Sequence, residues 1–187
     1  MIRAVCDACV LYSASLRDFL LRLAENELIF PFWSEEIHDE WTRSLLRNRS
    51  DLKQEKVERT RKKMDFHFPD SLVQGYEPII PTLTLPDPDD RHVLAVAIRT
   101  KAEYIVTFNL DDFPKTILQP YGIEAVSPDE FVQQLIRQVP RPLLLAVNHH
   151  RLGLIRPQKT IEEYLATLEK HGLPMTVAFL RKHANDI

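Results

Sequence analysis

The chain predicts a three-layer α/β/α sandwich around a central parallel sheet, continued by a helical C-terminal extension. Three observations lead there. Short apolar runs alternate with helix-like periodicity as far as about residue 138, the pattern of strands joined by helical crossovers. The first run, Ile2 to Leu11, delivers a single aspartate, Asp7, where an open α/β sheet presents ligands, at the carboxyl end of a strand. Pro140 and Pro142 then interrupt the alternation, and only helical patterns follow. The expected division is therefore residues 1–138 as the α/β domain and 139–187 as the extension.

In chain order, Leu16, Phe19, Leu20 and Leu23 recur at helical spacing after the first strand. Residues 28–33 read as a short extended segment, and Pro31 argues against a long central strand. Ser34 is placed as an N-cap, with Glu35 and Glu36 in the first turn where the helix dipole favours acids. Ile37, Trp41 and Leu45 supply the buried stripe of that helix, and Glu40 sits at its edge. A second helix is expected from Leu52 to Phe68, with Val57, Arg61 and Met64 on one side. The proline-rich stretch 69–88 reads as a loop with at most a short strand at Ile79-Ile80. Asp87-Pro88-Asp89-Asp90 opens a helix whose apolar face is Val93, Leu94, Ala97 and Ile98. Strands are expected at 104–107 and 123–126, the first ending in the polar turn Phe108 to Asp112. Ser127 and Glu130 form a capping box with Pro128 at the first helical position. The extension divides into 143–154, 160–171 (a capping box from Thr160 to Glu163, a stop at Gly172) and 174–183.

Composition narrows the function. The 187 residues are 44% hydrophobic and 27% charged, with a net charge of −3, so any nucleic-acid argument must be local. No apolar run approaches the ~18–20 residues of a membrane span, and Asp7 interrupts any signal-peptide pattern. A cytoplasmic protein is the expectation. Four glycines and no glycine-rich phosphate loop argue against a P-loop or dinucleotide site. Cys6 and Cys9 are spaced C-x-x-C, open to a redox or half-zinc reading, or to small side chains packed beside Asp7. His149 and His150, adjacent on a helix, point about 100° apart and read as surface residues.

Four acids fall where such a sheet converges: Asp7 after the first strand, Glu40 on a helix edge, Asp90 opening a helix and Asp112 after a later strand. Crowded carboxylates raise one another's pKa unless a cation neutralises them. Oxygen-only ligands suit Mg²⁺ or Mn²⁺ rather than zinc, and such an ion supports in-line displacement at phosphorus. Residues 43–63 carry a surplus of six positive charges, either a solvated helix face or a phosphate-binding rim. Within it, Arg43, Arg47, Lys53, Arg59 and Lys62 are candidate contacts to the phosphates of a polyanionic substrate.

Four segments carry a resemblance: Val5-Cys6-Asp7-Ala8-Cys9-Val10-Leu11, Trp33-Ser34-Glu35-Glu36-Ile37-His38-Asp39-Glu40-Trp41, Asp87-Pro88-Asp89-Asp90-Arg91-His92-Val93-Leu94-Ala95 and Val106-Thr107-Phe108-Asn109-Leu110-Asp111-Asp112-Phe113. In this order the chain resembles the PIN-domain family, metal-dependent nucleases that include the VapC-type toxins of bacterial toxin–antitoxin pairs. The resemblance implies an acidic cleft in which Asp7, Asp90 and Asp112 hold Mg²⁺ or Mn²⁺. Glu40 would hold the ion through water or orient the attacking water. Ser34, Thr107 and Asn109 would be supporting polar groups. It implies cleavage of RNA, an antitoxin partner and a possible homodimer. Cys9 stands where the family commonly has Asn, and the middle and tail exceed a minimal domain of this kind. The rival readings are a non-catalytic module of the same fold that grips RNA or protein, and a thiol role for Cys6 and Cys9.

Overall fold

A computed structural model describes residues 1–155 and 158–187. Four parallel strands, β1 (Ile2–Cys6), β2 (Ile29–Phe32), β3 (Tyr104–Val106) and β4 (Glu124–Val126), form one sheet in the order β2-β1-β3-β4. Val5 is in register with Phe32 on one side and Ile105 on the other. Pro31 sits on the edge strand β2, where its missing N–H costs no central ladder bond.

The step from β1 to β2 crosses the sheet one way and the step from β2 to β3 the other. Right-handed crossovers therefore place their helices on opposite faces. The first crossover holds α1 (Ala8–Leu11) and α2 (Ala14–Glu25); the second holds α3 (Glu35–Asn48), α4 (Gln54–His67) and α5 (Arg91–Thr100). Helix α5 packs across β1, β2 and β3, and its Val93, Leu94, Ala95, Val96 and Ala97 are buried. A short α6 (Lys115–Leu118) leads to β4, and α7 (Pro128–Gln138) follows it with the expected Ser127–Glu130 capping box in place. The tail adds α8 (Pro140–Gly153), α9 (Ile161–Lys170) and α10 (Pro174–Arg181). Helix α8 packs on α2, while α10 packs on α7 and α9. The fully buried Leu143, Leu165 and Val177 join the tail to the same core as the sheet.

Most local expectations match: Ser34 accepts the Ile37 N–H at 3.2 Å, and Thr160 and Glu163 close a second capping box. Two do not. Ile79 and Ile80 lie in a 3-10 turn, 77–82, because Pro78 and Pro81 favour helical φ and cannot donate to a ladder. His150 is buried, 3% exposed, where its imidazole bonds the Tyr164 hydroxyl at 2.9 Å and the Asp18 carboxylate at 3.0 Å. Among the described residues no helix is long and apolar enough to cross a membrane.

Candidate active site

The sheet itself builds the centre of the site. The Asp7 N–H donates to the Val106 carbonyl at 3.1 Å, and the Thr107 N–H donates to the Val126 carbonyl at 3.0 Å. The residues that follow β1 and β3 are thereby held side by side at the carboxyl edge of the sheet. Asp7, 4% exposed, caps α1 through an Ala8 N–H at 2.6 Å on Oδ1. Its Oδ2 accepts the Thr107 hydroxyl at 2.6 Å and the Cys9 thiol at 3.2 Å. A carboxylate has about four acceptor positions, so three donors fix its orientation and leave capacity for a further ligand. Cys9 takes the place commonly held by Asn: it donates to Asp7 and accepts the Phe108 N–H at 3.3 Å. Both cysteines are free, and burial first, then the Asp7 charge, pushes each thiol up to about 12. A thiol so poorly ionised is a poor nucleophile and a poor zinc ligand. This geometry favours packing and hydrogen bonding over the redox or zinc reading.

Helix α3 brings in Glu40. Its start is set by the fully buried Ser34, and its roll is set by a buried polar chain. Trp41 Nε1–H donates to His38 Nδ1 at 2.9 Å. An indole N–H can only donate, so His38 carries its proton on Nε2 and donates it to Asp65 Oδ1 at 2.9 Å. The same oxygen accepts the Trp33 indole N–H at 2.9 Å, tying β2, α3 and α4 together. Burial lowers the His38 pKa, against the opposing effect of Asp65. Half-buried Glu40 meets His92 of α5, Nε2 to Oε1, at 3.0 Å. Burial opposes charge on His92, yet the bond and charge of Glu40, with Glu36 and Asp7, outweigh it and raise its pKa. His92 Nδ1 is buried with no hydrogen-bond partner among the described residues, and Glu36 lies 3.8 Å away.

Asp90, at the head of α5, joins these groups electrostatically. Burial, followed by the charges of Asp7, Asp112, Asp87 and Glu40, pushes its carboxyl up to about 7. Three of the acids singled out in the sequence, Asp7, Asp112 and Glu40, thus act on the fourth, Asp90, and Asp87 acts with them. Asp112, half-buried, comes from the 3-10 turn 110–112. Like charge and burial together make this a place where a divalent cation is favourable, and the donors are the oxygen ligands Mg²⁺ and Mn²⁺ prefer. Among the described residues no group of three or more His, Cys, Asp or Glu side chains is arranged to hold a metal ion. Mg²⁺ commonly keeps several waters and takes only one or two carboxylates, so the donor set fits such an ion.

The supporting groups differ in what they reach. Thr107 touches Asp7 directly, whereas Asn109 is exposed and approaches only through its backbone N–H, 3.0 Å from Thr107 Oγ1. Ser34 acts on α3 and bonds none of the acids. Arg43, Arg47, Lys53, Arg59 and Lys62 are all exposed, and none is ion-paired among the described residues. Lys53, Arg59 and Lys62 line one surface depression, but Glu55 and Glu58 line it too. Arg61 is withdrawn into pairs with Glu35 and Asp39. Of the residues in contact with the acids, Cys9 and His92 had only proximity in sequence to recommend them. Their roles rest on partners far away in the chain.

Comparison with known proteins adds two family matches. The PIN domain matches residues 3–111, and the VapC50 C-terminal domain matches residues 128–182. A similar protein from Mycobacterium tuberculosis (strain ATCC 25618 / H37Rv), described as "Putative ribonuclease VapC50", is 58% identical over 43 residues. That stretch is 23% of this chain and 25% of the relative's length. No solved structure matches the chain.

Proposed function

The chain belongs to the PIN-domain family, and from that premise we propose that it is a metal-dependent endoribonuclease, acting in the cytoplasm as the toxin of a VapBC-type pair. The carrying observation is the rise in the Asp90 pKa, to which burial and then the charges of Asp7, Asp112, Asp87 and Glu40 contribute. The partial relative described as a ribonuclease supports RNA as the substrate. In this reading residues 1–138 are the nuclease domain and 139–187 a helical extension, with an antitoxin and a second copy of the chain as possible partners.

Asp7, Asp90 and Asp112 would hold Mg²⁺ or Mn²⁺, directly or through its water. When bound, the ion supplies positive charge for the phosphate oxygens and acidifies an attacking water. The chain's own residues do the rest. Thr107, Cys9 and the Ala8 N–H keep the Asp7 carboxylate in one orientation before substrate arrives. In this reading Glu40, at the edge of α3, would hold the ion through water or orient the attacking water and take its proton. His92 Nε2 steadies that carboxylate from behind and limits its rotation. Loss of a well-placed general base typically costs 10²–10⁴-fold in rate.

The test is cleavage of RNA by the purified chain with Mg²⁺ or Mn²⁺, with a chelator control and Asp7→Asn and Asp90→Asn variants. Cleavage that needs the metal and disappears in both folded variants supports the reading. Full activity in both variants overturns the assignment. RNA binding without turnover, indifferent to chelator, would favour the non-catalytic module.

A further inference from the structure

A cavity of about 780 Å³ opens one side chain away from the acidic centre, and the C-terminal extension forms one of its walls. Cys9 and Phe108 line it on the near side, and Cys9 is the residue that bonds Asp7. Lys170, the last residue of α9, and His171 and Gly172, from the turn that follows it, line it as well. That turn is docked on the catalytic edge rather than hanging free. Ser13 Oγ meets His171 Nδ1 at 2.9 Å, and Gly172, at φ +87°, lies close under Phe108. A Cβ on Gly172 would sit 3.1 Å from the Phe108 ring, so only glycine allows both the turn and the contact.

The charge of the cavity is one-sided. Arg17, Arg49, Lys56 and Lys170 line it, and no Asp or Glu does among the described residues. Arg49 is already paired with Asp51. Arg17 is different: it is 8% exposed, donates to the Leu11 carbonyl, and lies 4.7 Å over the Trp41 ring. No carboxylate lies within ion-pairing distance of it among the described residues; the nearby Asp18 is turned to His150. A buried cation without an anion is costly, and one facing a cavity is a natural anchor for a ligand's negative charge. The cavity shares Arg17 and Thr60 with a second one of about 500 Å³, so the trough runs on past this anchor, where Asp18 and Glu25 join Arg22, Lys63 and Lys159 in its lining.

We propose that this trough is the binding site for the single-stranded RNA flanking the cleaved bond. Arg17, Lys56 and Lys170 take its phosphates, and the exposed ring of Phe108 stacks on an unpaired base. The C-terminal extension is then part of the substrate site. The proposal rests on the nuclease reading for its choice of ligand. The cations explain an acidic ligand, and the aromatic ring with direct continuity to Asp7 favours RNA over an acidic peptide. Base stacking on aromatic rings is tolerant of sequence and suits single strands.

The test measures binding alone, so that it stands apart from cleavage. A short fluorescein-labelled oligouridylate is titrated with the full chain in chelator, and anisotropy is followed over a range of salt concentrations. Lys56→Glu/Lys170→Glu should weaken binding at least about tenfold and make the log–log salt slope shallower by roughly 1.4, two phosphates at the single-strand value. Phe108→Ala should weaken it about tenfold with the salt slope unchanged, as loss of stacking requires. Lys182→Glu, outside the lining at the end of α10, should bind like wild type. Wild-type affinity in the Lys56/Lys170 variant, or equal weakening in the Lys182 variant, overturns the proposal. So does a wild type that ignores RNA but binds labelled polyglutamate, which would point to an acidic protein partner. A chain that binds RNA through the trough yet never cleaves it supports the proposal and overturns the nuclease reading.

Discussion

Replacing Asp65 with Ala tests the polar chain that sets the roll of α3 and hence the position of Glu40. Asp65 Oδ1 accepts two indole or imidazole protons, from Trp33 and His38, each at 2.9 Å. Both donors belong to side chains with no exposure, so neither can turn to water when the acceptor goes. A buried donor left unsatisfied costs about 1–3 kcal/mol. Asp65 itself is 25% exposed at the side chain, which admits some water. Two stranded donors then amount to about 3 kcal/mol, or roughly 6–12 °C in Tm for a chain of this size. Asp65→Asn keeps an acceptor oxygen and should lose less than half as much. The pH dependence has a definite sign. Burial lowers the folded pKa of His38, so the unfolded chain binds the extra proton more readily. Its contribution is full above the unfolded value near 6.5 and is lost as pH falls. Asp65 opposes that lowering, so Asp65→Ala should steepen the loss below neutrality. Urea unfolding of wild type, Asp65→Ala and Asp65→Asn at pH 8 and pH 5.5 reads both effects. An Asp65→Ala protein within about 0.5 kcal/mol of wild type at pH 8 would refute the reasoning.

Three further outcomes follow from the same geometry. In chelator, Asp90→Asn should raise thermal stability by about 1 kcal/mol, because it removes one of several repelling carboxylates; a fall in Tm would contradict the crowding. Thr107→Val deletes the 2.6 Å donor to Asp7 while keeping the shape, and should cost 10–100-fold in Mn²⁺ affinity or cleavage rate, the usual effect of losing a group that orients a ligand. Unchanged affinity and rate would remove Thr107 from the site. Lys101 ends α5 at φ +53°, a left-handed cap that glycine adopts without strain, so Lys101→Gly should stabilise by about 1 kcal/mol in a thermal melt. Destabilisation would show that the lysine side chain is needed where it stands.

What could be read from the chain was whatever local physics decides. Capping boxes at Ser127 and Thr160 and the cap at Ser34 depend on residues within one turn, and they form as expected. The alternation of strands and helices fixes which acids land at the carboxyl edge, so Asp7, Glu40, Asp90 and Asp112 were visible as candidates. Of the groups that orient them, Thr107 was expected through the family resemblance alone, and the roles of His92 and Cys9 were not. His92 finds Glu40 across 52 positions, and Thr107 finds Asp7 across 100. Arg17 lay unremarked on the amphipathic α2 because its surroundings depend on Trp41 beneath it and on Asp18 being engaged by His150. His150 was misjudged for the same reason: Asp18 and Tyr164, which bury it, come from α2 and α9. At Ile79-Ile80 β-branched residues suggested a strand, and the flanking prolines decided otherwise.

If the carboxylates that act on Asp90 hold a divalent ion, as proposed, that ion should govern cleavage of RNA. The most direct measurement is a calorimetric Mn²⁺ titration of wild type, Asp7→Asn and Asp90→Asn, with RNA cleavage followed on the same samples. The wild type should bind saturably, both variants should lose that binding, and cleavage should rise with occupancy. Undiminished Mn²⁺ binding in both variants, or cleavage that proceeds without regard to occupancy, would contradict the proposal.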